Sequence, residues 1–166
     1  MLLKITVTLP SKRPSIQRRK MDINNTNNSY QIISIIRSDE SLSLSTKEIP
    51  VDVEFSFDPY LIIKENGKIA SAILESCFFT KDKKPISNEL RVQVSFQFSE
   101  MLPIIQDGSD KVKIQDYESL LSIFDITVGT FRGILFEWLK DSKLQQPLPC
   151  IDIEELIKNL KISFSK

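Results

Sequence analysis

Residues 90–98 have the sequence Leu-Arg-Val-Gln-Val-Ser-Phe-Gln-Phe, in which apolar and polar side chains alternate without exception. Successive side chains of a β-strand point to opposite faces, so this stretch predicts a strand with one apolar face. A second strand is predicted over 51–63, whose residues 51–58 alternate in the same way. Asn66-Gly67, which tolerates the positive φ angles of a tight turn, joins it to a returning strand over 68–80. With a long first strand over 30–45, the sequence predicts four consecutive antiparallel strands in a meander.

The hydrophobic period changes after these strands. Between Asp116 and Leu139 apolar residues recur every three or four positions, which predicts one long helix. Beyond a Pro-containing loop over 141–150, Asp152 followed three residues later by Glu155 is a capping-box signal for a second helix. Its expected apolar stripe consists of Ile153, Leu156, Ile157, Leu160 and Phe164. Strands followed by helices without alternation predict an α+β fold: a four-stranded antiparallel meander sheet, one long helix and a short C-terminal amphipathic helix.

The composition argues against catalysis. The chain has 166 residues and no histidine, which excludes Ser-His-Asp and Cys-His nucleophile pairs, histidine-ligated metals and imidazole acid–base chemistry. It also has no Gly-rich phosphate loop, no Cys-x-x-Cys and no nucleophile elbow. We therefore expect a protein that is not an enzyme and that uses no metal and no cofactor.

Charge is distributed unevenly along a chain whose formal net charge is zero. Residues 1–28 carry a net charge of +5 and end in an Asn-rich break, so we expect a basic polar arm at 1–28 and a folded domain at 29–166. No aromatic side chain is interleaved with the basic ones, which argues against a nucleic-acid partner. Lys4 and Pro10 interrupt the first apolar cluster, and no uncharged apolar run approaches the ~20 residues of a membrane span. We expect a cytoplasmic protein that does not insert into membranes.

Two stretches near the predicted helices carry a family resemblance. They are Gly129-Thr130-Phe131-Arg132-Gly133-Ile134-Leu135 and Leu148-Pro149-Cys150-Ile151-Asp152-Ile153-Glu154-Glu155-Leu156-Ile157. Together with the order of strands and helices, they resemble the long helix and the approach to the last helix in the SecB family of export chaperones. The resemblance covers about residues 30–164.

The resemblance implies a function and an assembly. SecB-family proteins are tetramers built as dimers of dimers, with the long helices packed at the centre. They hold unfolded precursors in long apolar grooves without ATP and pass them to the motor protein SecA. The expected partners are therefore unfolded polypeptide clients, further copies of the same chain and SecA.

Apolar residues supply candidates for the groove and for the subunit interface. Aromatic side chains give a groove contact area at low entropic cost, although each of them is more often found in an ordinary core. The groove candidates are Phe78, Phe79, Phe96, Phe98, Trp138, Leu148, Ile157, Leu160 and Phe164. The interface candidates, on the long helix, are Phe124, Val128, Gly129 and Gly133, because small residues let two backbones approach closely.

The acidic patch by which the family docks SecA is only partly present. Asp39 matches one acidic position, whereas Ser43 and Gln93 stand where two further acids are expected. Relatives of SecB that hold an unstable antitoxin in toxin–antitoxin systems would tolerate this loss, so an antitoxin is an alternative partner. A second alternative, from another functional class, is a non-catalytic adaptor or structural subunit that binds one folded protein.

Overall fold

The structure, a computed structural model, describes most of the domain predicted at 29–166. The described residues are 29–38, 43–44, 53–64, 66–102, 104–107, 111–114, 116–140 and 150–165. Asp39, Leu148 and the arm at 1–28 lie outside them.

Seven strands and two helices follow one another along these residues. The strands are β1 (Tyr30–Arg37), β2 (Val53–Lys64), β3 (Ile69–Thr80), β4 (Leu90–Phe98), β5 (Ile104–Asp107), β6 (Lys111–Ile114) and β7 (Lys161–Ser165), and the helices are α1 (Tyr117–Lys140) and α2 (Ile153–Lys158). The prediction of an α+β fold is confirmed.

The order of the strands differs from a simple meander. The main sheet has the order β1-β4-β3-β2-β7, so β1 pairs with β4 and not with its neighbour in sequence, β2. The segment between β1 and β2 is long enough to carry the chain across the sheet, whereas short turns keep β2, β3 and β4 adjacent. The first strand is also shorter than expected and ends at Arg37; beyond it, Leu44 forms an isolated bridge to Ser87.

The tight turn between β2 and β3 is confirmed. Gly67 has a φ of 63°, in the left-handed region that favours glycine, and its N–H donates to the Lys64 carbonyl over 2.7 Å. The Asn66 side chain accepts a hydrogen bond from the N–H of Lys68. This turn fixes a register that pairs Val53 with Thr80 and continues without a shift to Ile63 and Ala70.

Helix α1 packs across β3 and β4. Its buried residues recur every three or four positions, as predicted, and the apolar face of the sheet covers them. These are Leu120, Ile123, Phe124, Thr127, Val128, Phe131 and Leu135.

The second helix is shorter than predicted, and a strand follows it. Asp152 caps α2 as expected, because its side chain accepts a hydrogen bond from the N–H of Glu155, but the helix ends at Lys158. Leu160, Ile162 and Phe164 then alternate with polar residues and have the period of a strand. This segment is β7, which pairs in parallel with residues 60–64 of β2. The sequence had suggested that Leu160 and Phe164 belong to the apolar stripe of a helix, and this prediction is wrong.

Strands β5 and β6 form a separate two-stranded hairpin between β4 and α1. This hairpin was not among the elements predicted from the sequence. The signal was the Asp107-Gly108 pair, a common hairpin turn, between two short segments that contain isoleucine and valine.

Candidate functional site

Five aromatic side chains form a continuous cluster on the helix-facing side of the sheet. We call Phe55, Phe57, Phe78, Phe131 and Trp138 the aromatic cluster. The Phe55 ring lies 4.4 Å from that of Phe78 and 4.9 Å from that of Phe57, between centroids. Phe57 packs edge-on against Phe131 at 5.6 Å, and Trp138 stacks on Phe78 at 6.3 Å. These separations and tilts are those favoured by aromatic pairs.

The described residues cover the aromatic cluster only in part. Phe78 and Phe131 are buried, whereas Phe55, Phe57 and Trp138 remain partly exposed. The reason is the placement of the helices: α1 covers β3 and β4, and β7 pairs only with the second half of β2. The first half of β2 thus presents two aromatic rings on a rigid sheet.

The predicted groove residues separate into two groups. Phe78, Phe96, Phe98, Ile157 and Leu160 are at most 2% exposed, so their side chains stabilise the core and give a partner no surface to contact. This corrects the expectation for those five.

The other groove candidates are accessible or lie elsewhere. Trp138 and Phe79 are partly exposed, and Phe164 is 43% exposed on β7, so for these three the groove assignment stays a prediction. Phe79 belongs to the other face of the sheet, because it alternates with the buried Phe78. Phe55 and Phe57 were not among the site residues predicted from the sequence, although both lay on the predicted apolar face of β2.

The predicted interface residues also separate. Phe124 and Val128 are buried against the sheet of their own subunit, which corrects their assignment to a subunit interface. Gly129 and Gly133 lie on the outward face of α1, and nothing lies within 4 Å of a Cβ built at either position. Phe136, 57% exposed, lies on the same face because it is three residues beyond Gly133. We call Gly129, Gly133 and Phe136 the outward face.

Strand β1 forms one edge of the sheet and is unusually apolar. Ile32, Ile33, Ile35 and Ile36 are each about half exposed, on both sides of a register shift between Ile32 and Ser34. Only its first residue is held firmly from the helix side: the Tyr30 ring packs on Phe96 and Phe98, and its hydroxyl contacts that of Ser122. An exposed apolar edge strand of this kind is a surface that pairs readily with another chain.

Polar and charged groups occupy the face of the sheet away from the helices. Gln93 lies on this face, between Arg91 and the hydrogen-bonded pair Ser71 and Ser95. Arg91 pairs with Glu75 at 3.2 Å. Loss of hydration, reinforced by the negative charge of Glu75, raises the pKa of Glu89 above its usual value. The described part of this face therefore carries both signs of charge and no concentrated acidic patch.

Strand β7 is fastened to β2 by a lysine. The Lys161 Nζ donates to the Asp58 carboxylate over 2.7 Å and to the Tyr60 hydroxyl over 3.1 Å, and it lies 4.6 Å from the centre of the Tyr60 ring. The hydrogen bond to Asp58 raises the pKa of Lys161 above its usual value. Lys161 therefore stays charged, and paired, throughout the neutral range.

The described residues offer no candidate site for a metal ion. None of their Cys, Asp and Glu side chains forms a group that could hold a metal ion. A shallow depression of about 330 Å³ lies at the start of β1. No charged residue lines it; its lining residues are Ser29, Tyr30, Gln31, Gln97, Phe98 and Ser99.

Helix α1 is also apolar along much of its length. Within the part of the chain that the structure describes, it is the one helix long and apolar enough to cross a membrane. Of its most apolar window, 44% is buried inside the protein, as expected of a helix packed on a sheet.

Comparison with solved structures gives distant likenesses. The chain is similar to the SecB-like chaperone Rv1957 of Mycobacterium tuberculosis, solved in complex with a ChAD peptide from the HigA1 antitoxin. The TM-score is 0.43 at 13% identity, over 75% of this chain and 86% of the mycobacterial one. No protein-family model matches the sequence, and no curated protein matches it. Function must therefore be argued from the surfaces of this molecule.

Proposed function

We propose that this protein is an ATP-independent holdase that binds unfolded polypeptide segments in the manner of SecB. The half-exposed aromatic cluster is the observation that carries the proposal. Three partly exposed rings, Phe55, Phe57 and Trp138, belong to one series of ring contacts on the sheet and α1, in which the buried Phe78 joins Trp138 to Phe55. A surface that must accept many sequences gains contact area from rigid aromatic rings without demanding specific hydrogen bonds.

The two other exposed apolar surfaces support assembly into an oligomer. The outward face of α1 has room for a second backbone at Gly129 and Gly133, and the apolar edge of β1 can extend the sheet into a second copy. We assign these surfaces to contacts between copies, as in a dimer of dimers. The aromatic cluster then remains free for clients, because its sheet residues lie on β2 and β3, toward the edge of the sheet opposite β1.

The mixed charges around Gln93 favour a holdase with a dedicated client over one that serves the export motor. A patch that docks a partner by charge needs several like charges together, since single exposed pairs contribute only about 0 to 1 kcal/mol each. Here Arg91 neutralises Glu75, and Gln93 is uncharged. We therefore propose a cytoplasmic holdase with an unstable client such as an antitoxin, and expect SecA to bind weakly or not at all in a low-salt titration.

The proposal is tested by suppression of aggregation. Several unrelated model enzymes are unfolded chemically and diluted into buffer with the purified protein, with and without ATP, and light scattering is followed. The holdase should lower scattering for all of them near equimolar ratio, with no effect of ATP. Trp138 is the single tryptophan of the chain, so its fluorescence should change when a client binds.

Selectivity separates the holdase from an adaptor. An adaptor that recognises one folded partner should leave the aggregation of all unrelated enzymes unchanged and should keep its Trp138 emission constant. That result would refute the holdase proposal. A matched control is Glu154→Gln, which changes an exposed residue of α2 outside the aromatic cluster, the outward face and β1, and should behave as the wild type.

A further inference from the structure

The edge of the sheet beside the aromatic cluster is open along half its length. Strand β7 pairs with Tyr60 through Lys64, whereas no described residue pairs with the outer side of Val53 through Asp58. We call Val53 through Asp58 the open edge. Its residues pair with β3 on their other side without a register shift, so the backbone is already extended and ready for a further strand.

Pro59 indicates which main-chain groups face outward. Proline has no N–H, and a strand tolerates it where that group would point away from the neighbouring strand. Since Val53, Phe55 and Phe57 have the same parity as Pro59, their N–H and C=O groups point to the open side. The residues that offer main-chain hydrogen bonds are thus the ones whose side chains line the helix-facing surface.

Strand β7 shows which kind of segment pairs with the outer side of β2. Its residues alternate: Ile162 and Phe164 lie on the helix side, and Lys161 and Ser163 on the other. Lys161 reaches Asp58, at the end of the open edge. The same strand thus already accepts an extended segment in which apolar residues alternate with basic or small polar ones.

The charged side chains of the open edge restrict which residues a pairing segment can carry. On the face away from the helices, the open edge presents Glu54 and Asp58. Glu54 pairs with Lys83, whose side chain is 76% exposed, so replacing this partner with a lysine or arginine of the incoming segment is close to neutral in energy. An aspartate or glutamate there would face like charge and be disfavoured.

From these observations we infer that clients bind by adding a β-strand to the open edge. The occupant is an extended segment of an unfolded polypeptide whose alternate residues are apolar on the helix side and basic or small on the other. Its apolar side chains lie beside Phe55 and Phe57, while its main chain bonds to β2. This inference rests on the proposed holdase function and names the mode by which that function selects its clients.

The test uses a fluorescent peptide that repeats the first four residues of β7, Lys-Ile-Ser-Phe-Lys-Ile-Ser-Phe, with the full-length protein. Two further peptides of identical sequence carry backbone N-methyl groups, one on the Ile and Phe residues and one on the Lys and Ser residues. In a strand, alternate N–H groups face the same side, so one methylated peptide should bind at least about tenfold more weakly and the other about as well as the parent. Equal affinities for both methylated peptides would overturn strand addition.

A pair of protein variants locates the site. Phe55→Ala and Phe55→Pro both lack the ring, but only the second also lacks an outward N–H. Phe55→Pro should bind the parent peptide roughly three- to tenfold more weakly than Phe55→Ala, as expected for one main-chain hydrogen bond. Equal binding by the two would place the peptide elsewhere, for example on the edge of β1. A peptide with Glu in place of Lys should bind more weakly, and equal affinity would refute the charge argument.

The outcomes separate this inference from the proposed function. Suppression of aggregation without any difference between the methylated peptides overturns strand addition and leaves the holdase intact. If the protein does not suppress aggregation, the holdase proposal is refuted, and so is the proposal that clients occupy the open edge. If the peptide binds only to a variant that lacks residues 1–28, the open edge belongs to the chain's own segment, and the assignment to clients is wrong.

Discussion

Replacement of Phe55 by alanine distinguishes an aromatic surface used for binding from one used only for packing. The Phe55 ring contacts two neighbours, Phe57 and Phe78, and part of it faces solvent. Removing a fully buried phenylalanine costs about 3–5 kcal/mol, a value that includes an enclosed cavity. At position 55 the space left behind opens to water and part of the ring is already hydrated, so we expect a loss of about 2 kcal/mol.

The matched comparison is Phe131→Ala. Phe131 belongs to the same aromatic cluster but is 0% exposed, so its removal should cost the full 3–5 kcal/mol. For a domain of this size, about 2 kcal/mol lowers the melting temperature by about 4–8 °C, so Phe55→Ala remains folded at room temperature. Urea titration gives both free energies of unfolding.

Suppression of aggregation is then measured at a temperature at which both variants are folded. Phe55→Ala should lose much of its ability to suppress aggregation although its stability falls only a little. Phe131→Ala should lose more stability, yet each folded molecule of it should suppress aggregation as well as the wild type does. The opposite ranking, with Phe55→Ala as destabilised as Phe131→Ala and fully active, would show that the aromatic cluster is merely core.

Three further predictions concern assembly, a buried hydroxyl and pH. Gly133→Leu should stabilise the subunit by up to about 1 kcal/mol, because leucine favours a helix and a Cβ at this position meets no described atom within 4 Å. The same variant should form smaller particles in light scattering, because its side chain would obstruct the second copy. An unchanged particle size would exclude the outward face as an interface. Ser76→Ala should raise the free energy of unfolding in urea by about 1 kcal/mol, since the Ser76 Oγ is buried and has no hydrogen-bond partner among the described residues. A loss of stability would instead reveal a partner. The folded state raises the pKa of Glu89, so the ionised carboxylate opposes folding. The Glu89→Gln variant should therefore melt at a slightly higher temperature than the wild type at pH 7, and at the same temperature below about pH 4, where the carboxyl is protonated in both the folded and the unfolded state. A higher melting temperature that persists in acid would contradict this assignment.

The strands and the long helix could be predicted from the sequence because their side chains repeat with a period that burial imposes. Residues 90–98 and 117–140 have unambiguous periods, and the structure confirms both. Residues 153–165 were ambiguous, because Leu156, Leu160 and Phe164 fit a helical spacing while Leu160, Ile162 and Phe164 fit a strand. A helix of six residues with a five-residue strand satisfies both halves of that pattern.

The binding surface could not be predicted in the same way. Phe55 and Phe57 on β2 alternate with polar residues just as Phe96 and Phe98 do on β4, so the local sequence gives no reason to prefer one pair. The difference arises from the order of the strands: β4 lies beneath α1, while the first half of β2 lies at an uncovered edge. Since neighbours in the sheet are not neighbours in sequence, only the tertiary structure separates core aromatics from exposed ones.

The parallel strand β7 also affects how the protein reaches its native state. Lys161 and its partner Tyr60 are 101 residues apart in sequence, whereas β2 and β3 meet through a single turn. Closing so long a loop for five residues of pairing is entropically unfavourable until the rest of the sheet exists, so β7 should be added late. Until then the outer side of β2 is unpaired over all twelve residues and can pair with β2 of another molecule. The rate at which β7 docks, more than the final free energy of folding, should therefore limit the protein concentration at which this chain refolds without aggregating.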